Sequence, residues 1–294
     1  MSAPGSGKGH RDENFPVASV LLAPAHRAPI MAFYRFARAA DDIADHPDAA
    51  PDEKLARLAA MRAGLDGEGG AAQGPGDARH RWNGGGGAPE AMALAAVQRA
   101  RGLDPAHAHE LLDAFVQDVT VARYASWDGL MGYCRLSAMP VGRFVLDVHG
   151  EDRATWALSD PLCAALQIIN HLQDCATDCR MLGRVYLPTD LLARHGAGVD
   201  DLSRPAASPA LRAAIADAAR RTEALLRASA PFARAIRSRR LAAEVAVIQR
   251  LAVSLAGRLR RRDPLSERVH HTRAHAATLA ALAVVGQLVR GVRA

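Results

Sequence analysis

Apolar residues recur at helical spacing through most of the 294-residue chain, and no stretch alternates as a half-buried strand would. From Pro29 the segment PIMAFYRFARAADDIAD reads as an amphipathic helix that Pro47 stops, with a second short helix from Pro51. Helical stretches are expected near residues 89–102, 104–122, 126–149 and 154–182. The segment GRVYLPTDLLARHG then breaks the pattern, which resumes near 207–235, 239–262 and 273–290. Asp104-Pro105 and Asp160-Pro161 read as cap-plus-proline helix starts. Ten of the 24 glycines fall between Gly64 and Gly87. This reads as a mobile loop, 64–89, inside a domain rather than a linker between two, because the roughly sixty residues before it are too few for an independent core. With residues 1–14 as a flexible arm, 15–294 is expected to form one all-α domain.

Composition agrees with this picture. Alanine, leucine and arginine dominate, while aromatic residues make up 4% of the chain. The four cysteines, Cys134, Cys163, Cys175 and Cys179, form no CxxC pair and read as reduced, mostly buried thiols. The polar start MSAPGSGKGHRDEN lacks the apolar segment of a signal peptide, and the apolar run at 276–289 falls short of the ~20 residues a bilayer requires. A cytoplasmic protein is expected. No Walker loop or G-x-G-x-x-G fingerprint is present.

The net charge of +6 comes almost wholly from arginine, with Lys8 and Lys54 the only lysines. Charge alone would suggest a polyanionic partner. The arginines between Arg204 and Arg273, however, recur through amphipathic helices without aromatic interleaving or a recognition motif, so nucleic acid is not expected. A solvated helix face is the first reading of them, and peripheral contact with an anionic membrane surface the second. His270, His271 and His275 read as surface residues.

Two acidic stripes change the picture more. Tyr34, Arg38, Asp41 and Asp45 stand at offsets 0, 4, 7 and 11, on one face of the first helix. Gln167, Asn170, Asp174 and Asp178 stand at offsets 0, 3, 7 and 11 on a later one. Both stripes border apolar positions, so their carboxylates need a cation or a basic partner. Oxygen-only ligands from two helices suit a hard cation, Mg²⁺ above all, which keeps waters and bridges carboxylates to phosphate oxygens. A di-iron bundle would require Glu-x-x-His pairs, and neither stripe has one. His171 reads as a packed or hydrogen-bonded residue pointing off the second stripe.

At these residues the chain resembles the squalene/phytoene synthase family, from Asn14 to about Val269. FYRFARAADDIAD resembles the family's first aspartate-rich motif and NHLQDCATDCRMLGRVYLP its second. YCRLSAMPVGRFVL, residues 133–146, resembles the helix between them that lines an isoprenoid tunnel. ENFPVAS, ARAADDIAD and NHLQD resemble the bacterial branch that turns presqualene diphosphate into hydroxysqualene for hopanoid biosynthesis. Gln173 stands where many relatives carry arginine, and Met139 where that branch would carry asparagine.

The resemblance implies an isoprenoid-synthase-type helical bundle around a central apolar tunnel. It implies Mg²⁺ on Asp41, Asp45, Asp174 and Asp178, and a diphosphate met by Arg38, Arg184 and Arg180. Gln167 and Asn170 would position a water, while Tyr34 or Tyr133 would stabilise a carbocation. Ser19, Val141, Gly142 and Tyr186 complete the substrate contacts. The implied activity is that of a carbon–oxygen lyase releasing diphosphate, coupled to a presqualene diphosphate synthase before it and a flavin-dependent hydroxysqualene reductase after it. Two alternatives share these motifs: a head-to-head prenyltransferase joining two prenyl diphosphates, and a non-catalytic assembly factor on the same fold.

Overall fold

The computed structural model describes residues 23–68 and 88–291. Helix α1 (Pro24–Ala44) buries Ile30, Phe33, Phe36, Ala40 and Ile43 against α2 (Pro51–Asp66), α3 (Ala88–Arg101) and α4 (Ala106–Thr120). It starts before Pro29, which lies buried inside it, because Pro24 already supplies a first-turn proline. Pro51 starts α2 as expected. The glycine-rich segment is narrower than 64–89, since α2 continues through Asp66 and α3 begins at Ala88; residues 69–87 lie outside the described residues, as do the arm 1–14 and Ser19.

The expected helix over 126–149 is two helices, α5 (Trp127–Ser137) and α6 (Met139–Val148). Pro140 explains the break, because it has no N–H to give and disfavours helical backbone just before it. Next comes α7 (Trp156–Thr177), the central helix, packed against α5, α6, α9 (Pro209–Ala228) and α11 (Arg239–Leu259). Asp160-Pro161 lies inside α7 rather than starting it, and Asp160 instead accepts two bonds from Arg143, at 2.9 and 2.5 Å. Asp104 does cap its helix, accepting from the Ala106 N–H at 3.0 Å. A single π turn, Asp178–Leu182, ends the α7 rod. The interrupting segment runs beside residues 122–125, with the Val185 N–H on the Ala122 carbonyl at 2.8 Å, and then forms α8 (Thr189–Arg194). The stretch near 207–235 is also split, into α9 and a short α10 (Phe232–Ala235). The last helix is α12 (Arg273–Gly291), on α11.

The apolar side chains form two cores. One joins α1 to α4 with Phe144 and Val148 of α6; the other surrounds α7. Helix α6 lies between them, and Gly142 lets it approach α7 closely. A Cβ there would fall well inside contact distance of Cys163 Sγ and 2.7 Å from Ser159 Oγ. Overpacking of this kind costs about 1–3 kcal/mol. Gly142→Ala is therefore expected to lower the thermal midpoint; an unchanged melting curve would show that α6 shifts freely.

All four cysteines are free, with Cys134 and Cys175 buried and Cys163 and Cys179 only partly so. Among the described residues no helix is long and apolar enough to cross a membrane.

Candidate active site

The two cores meet around a cavity of about 1140 Å³, just above the usual range for small-molecule pockets. Its walls carry Tyr34, Arg38, Asp41 and Asp45 from α1, and Gln167, Asn170, Asp174 and Asp178 from α7 and its π turn. Tyr133, Val141, Gly142, Arg180, Arg184 and Tyr186 line the same space. Every candidate site residue among those described thus faces one cavity. Met139 is not on its wall but buried in the core around α7.

Part of the cavity wall is polar. Arg38 bonds Asp41 at 3.1 Å and Asp42 at 2.8 Å. Arg184 joins the two stripes: its guanidinium reaches Asp45 Oδ1 at 2.5 Å and the Ala44 carbonyl at 2.8 Å. Gly183, with φ of +67°, makes this reach feasible by turning the chain back after the π turn through a conformation that suits glycine. Burial opposes the charge on Arg184, but Asp45 and Asp118 outweigh it and hold the guanidinium firmly protonated. Asp41 lines the cavity with its carboxyl partly desolvated by the surrounding protein. That desolvation, with the charges of Asp45, Asp42 and Asp118, lifts its pKa to about 7 despite Arg38.

Asp118 is a residue the sequence reading missed. It accepts from the Tyr186 hydroxyl at 2.7 Å and the Tyr133 hydroxyl at 3.0 Å, so the two phenols are donors to it. Burial raises the carboxyl pKa, while Arg184 and the two hydroxyls oppose that rise. Burial and the Asp118 charge likewise push Tyr133 and Tyr186 upward, keeping them protonated. A signal for Asp118 existed: it stands seven residues after Leu111 on the stripe Leu111, Ala114, Phe115 that faces the cavity.

His171 is a correction. It does not point away from the second stripe but lines the cavity, stacked on Tyr186 with ring centroids 3.6 Å apart. Its hydrogen bond is to Gln167, one turn earlier, at 3.1 Å. His270, expected at the surface, also lines the cavity, and His271 is half-buried with Nε2 3.3 Å from the Leu251 carbonyl. Gln173 ties α7 to the segment that covers this side, donating to the Val269 carbonyl at 2.5 Å. The cavity wall also has apolar parts, including Phe33, stacked on Phe144 at 4.2 Å, and Leu162, Leu166, Leu241 and Ile248.

The sequence profile of the family described as squalene/phytoene synthase matches residues 9–275. The chain belongs to the squalene/phytoene synthase family. It is therefore an enzyme of an isoprenoid-synthase fold, and its relatives agree. It is 51% identical to the hydroxysqualene synthase of Zymomonas mobilis, over 96% of this chain and 91% of that protein. Identity to the hydroxysqualene synthase of Rhodopseudomonas palustris is also 51%, over 90% of this chain and 85% of that one. Among solved structures, the squalene synthase HpnC of Alicyclobacillus acidocaldarius is similar with a TM-score of 0.69 and 29% identity, covering 83% of this chain and 87% of its own. A dehydrosqualene synthase superposes with a TM-score of 0.73 at 19% identity, covering 90% and 88%, a likeness of fold.

Proposed function

We propose that this enzyme ionises presqualene diphosphate and captures the rearranged cation with water, giving hydroxysqualene and diphosphate. What carries the reading is the pairing of acidic, arginine-flanked groups with apolar walls in one large cavity, in a chain half identical to relatives named for hydroxysqualene formation.

The donor set fits Mg²⁺. Among the described residues no three His, Cys, Asp or Glu side chains close on one point as an all-protein cage. Carboxylates spread along two facing walls suit an ion that retains waters and shares its shell with phosphate oxygens. Asp41, Asp45, Asp174 and Asp178 would hold it, directly or through water, and it would supply Lewis-acid stabilisation of the departing diphosphate. Arg38 and Arg180 add positive charge beside that group. Arg184, committed to Asp45 and the Ala44 carbonyl, mainly fixes the first stripe against the end of α7.

Beyond the leaving group the apolar walls keep bulk water from the cation. Tyr133 and Tyr186 both donate their hydroxyls to Asp118; Tyr133 serves through its ring, which attracts positive charge, while Tyr186, stacked on His171 and Tyr124, braces that wall. Tyr34 lines the same space from α1, and Val141 and Gly142 shape the wall against the isoprenoid chain. Gln167 and Asn170 are the neutral polar groups on the α7 stripe that can orient a water. Ser19 is a further phosphate contact in this reading. The enzyme would work in the cytoplasm as a single domain, drawing its lipid-like substrate from a presqualene diphosphate synthase at the membrane surface and passing product to a flavin-dependent reductase.

The test is product analysis by mass spectrometry with presqualene diphosphate and Mg²⁺ as the only additions. Hydroxysqualene is the expected product. Consumption of farnesyl diphosphate without use of presqualene diphosphate would favour a condensing prenyltransferase instead.

A further inference from the structure

Gln167 and His171 stand one turn apart on α7, and both line the cavity. Gln167 Nε2 lies 3.1 Å from His171 Nε2, while His171 Nδ1 faces the Asp178 carboxylate at 3.9 Å. An amide nitrogen carries only donors, so in its contact with the ring nitrogen it is the amide that donates. Nε2 of His171 therefore accepts from the Gln167 amide. The ring is held in that orientation by stacking on Tyr186, 16° from parallel, and Tyr186 is anchored to Asp118 at 2.7 Å. With its amide N–H given to His171, Gln167 has its carbonyl oxygen left to accept a hydrogen bond from a guest in the cavity.

We infer that His171 is a positioning residue for water capture: by fixing the Gln167 amide it commits the Gln167 carbonyl oxygen to holding one water against the cation. The inference rests on the proposed conversion of presqualene diphosphate to an alcohol. A water that donates one hydrogen to this carbonyl directs a lone pair outward, toward the electron-poor carbon. The new C–O bond forms from that lone pair, one O–H bond of the resulting oxonium breaks, and its proton goes to the released diphosphate. The competing route needs no held water. A C–H bond next to the cation breaks, its electrons form a C=C bond, and the proton again goes to diphosphate, leaving a conjugated hydrocarbon. Gln167 and His171 thus determine the choice between alcohol and hydrocarbon rather than ionisation itself.

The experiment measures the alcohol-to-hydrocarbon ratio by mass spectrometry after reaction of the full chain with presqualene diphosphate and Mg²⁺. His171→Phe keeps a ring for Tyr186 to stack on and removes the acceptor; the ratio is expected to fall about ten-fold, as for loss of one neutral hydrogen bond at the deciding step. His171→Gln restores an acceptor oxygen and should recover most of the ratio. Gln167→Met should reproduce the fall, with no further drop in the double variant with His171→Phe. If the native enzyme makes alcohol and His171→Phe makes it in the same ratio, the inference is overturned and the proposed function stands. If the native enzyme makes no alcohol from presqualene diphosphate, both are overturned. Should His171→Phe fail to fold, His171→Met is read by the same ratio.

Discussion

Asp41→Asn and Asp174→Asn are each expected to lower turnover by about three orders of magnitude or more, while far-ultraviolet circular dichroism remains that of the native helices. Each removes one anionic ligand from a wall that must bind a cation and, through it, a diphosphate. Neither side chain supports the apolar cores. Stability at Asp41 should even move the other way. Its pKa is lifted to about 7 by burial and by Asp45, Asp42 and Asp118, so the fold disfavours its ionised form. A carboxyl raised in this way contributes stability when protonated and loses that contribution as pH rises through the folded value. At a pH above about 7, metal-free Asp41→Asn should therefore melt at or above the native temperature. For the native protein the same sign makes apparent Mg²⁺ affinity decline as pH falls through about 7, because the ion must displace a proton. Turnover retained by both variants would remove the metal from the proposed function.

Much of this site could be read in the chain before its fold, for a simple geometric reason. Residues at offsets of 3, 4, 7 and 11 share a helix face, so each acidic stripe already specified one wall. Which walls face each other is a tertiary fact, and that is where the reading stopped. Asp118 sits on a third helix at the end of an ordinary apolar stripe, and only packing brings it to Tyr133 and Tyr186. His171 stands beside Asn170 yet is four residues after Gln167 and seven before Asp178, and so shares their face. The helix boundaries failed where proline acts differently from place to place. Pro140 divides a helix, whereas Pro29 and Pro161 are carried inside theirs. A proline interrupts only if its neighbours cannot satisfy the carbonyl it leaves without a donor, and that depends on packing that the sequence does not display.

Arg184→Met should produce the largest loss of stability of any single change in the polar part of the cavity wall. Arg184 is 7% exposed, and it touches Asp45 Oδ1 at 2.5 Å and the Ala44 carbonyl at 2.8 Å. Removing one partner of a buried pair commonly costs about 3–5 kcal/mol; because the Asp45 side chain is 36% exposed, water relieves part of that cost and about 2–3 kcal/mol is expected. Lys54 limits the loss further, since its ammonium already donates to the same Ala44 carbonyl at 3.0 Å. Burial and the Arg184 charge lower the Lys54 pKa, so deleting the guanidinium strengthens the lysine as a substitute cation. Arg184→Lys should be intermediate, because an ammonium cannot span Asp45 and the carbonyl with a planar fork. The decisive comparison is Arg184→Met with Arg184→Met/Asp45→Asn in urea denaturation. If the loss arises from a carboxylate left without its cation beside Asp41 and Asp118, neutralising Asp45 recovers much of it. If it arises only from lost packing of the arginine stem, the second substitution recovers nothing, and the electrostatic account of the joint between the two stripes fails.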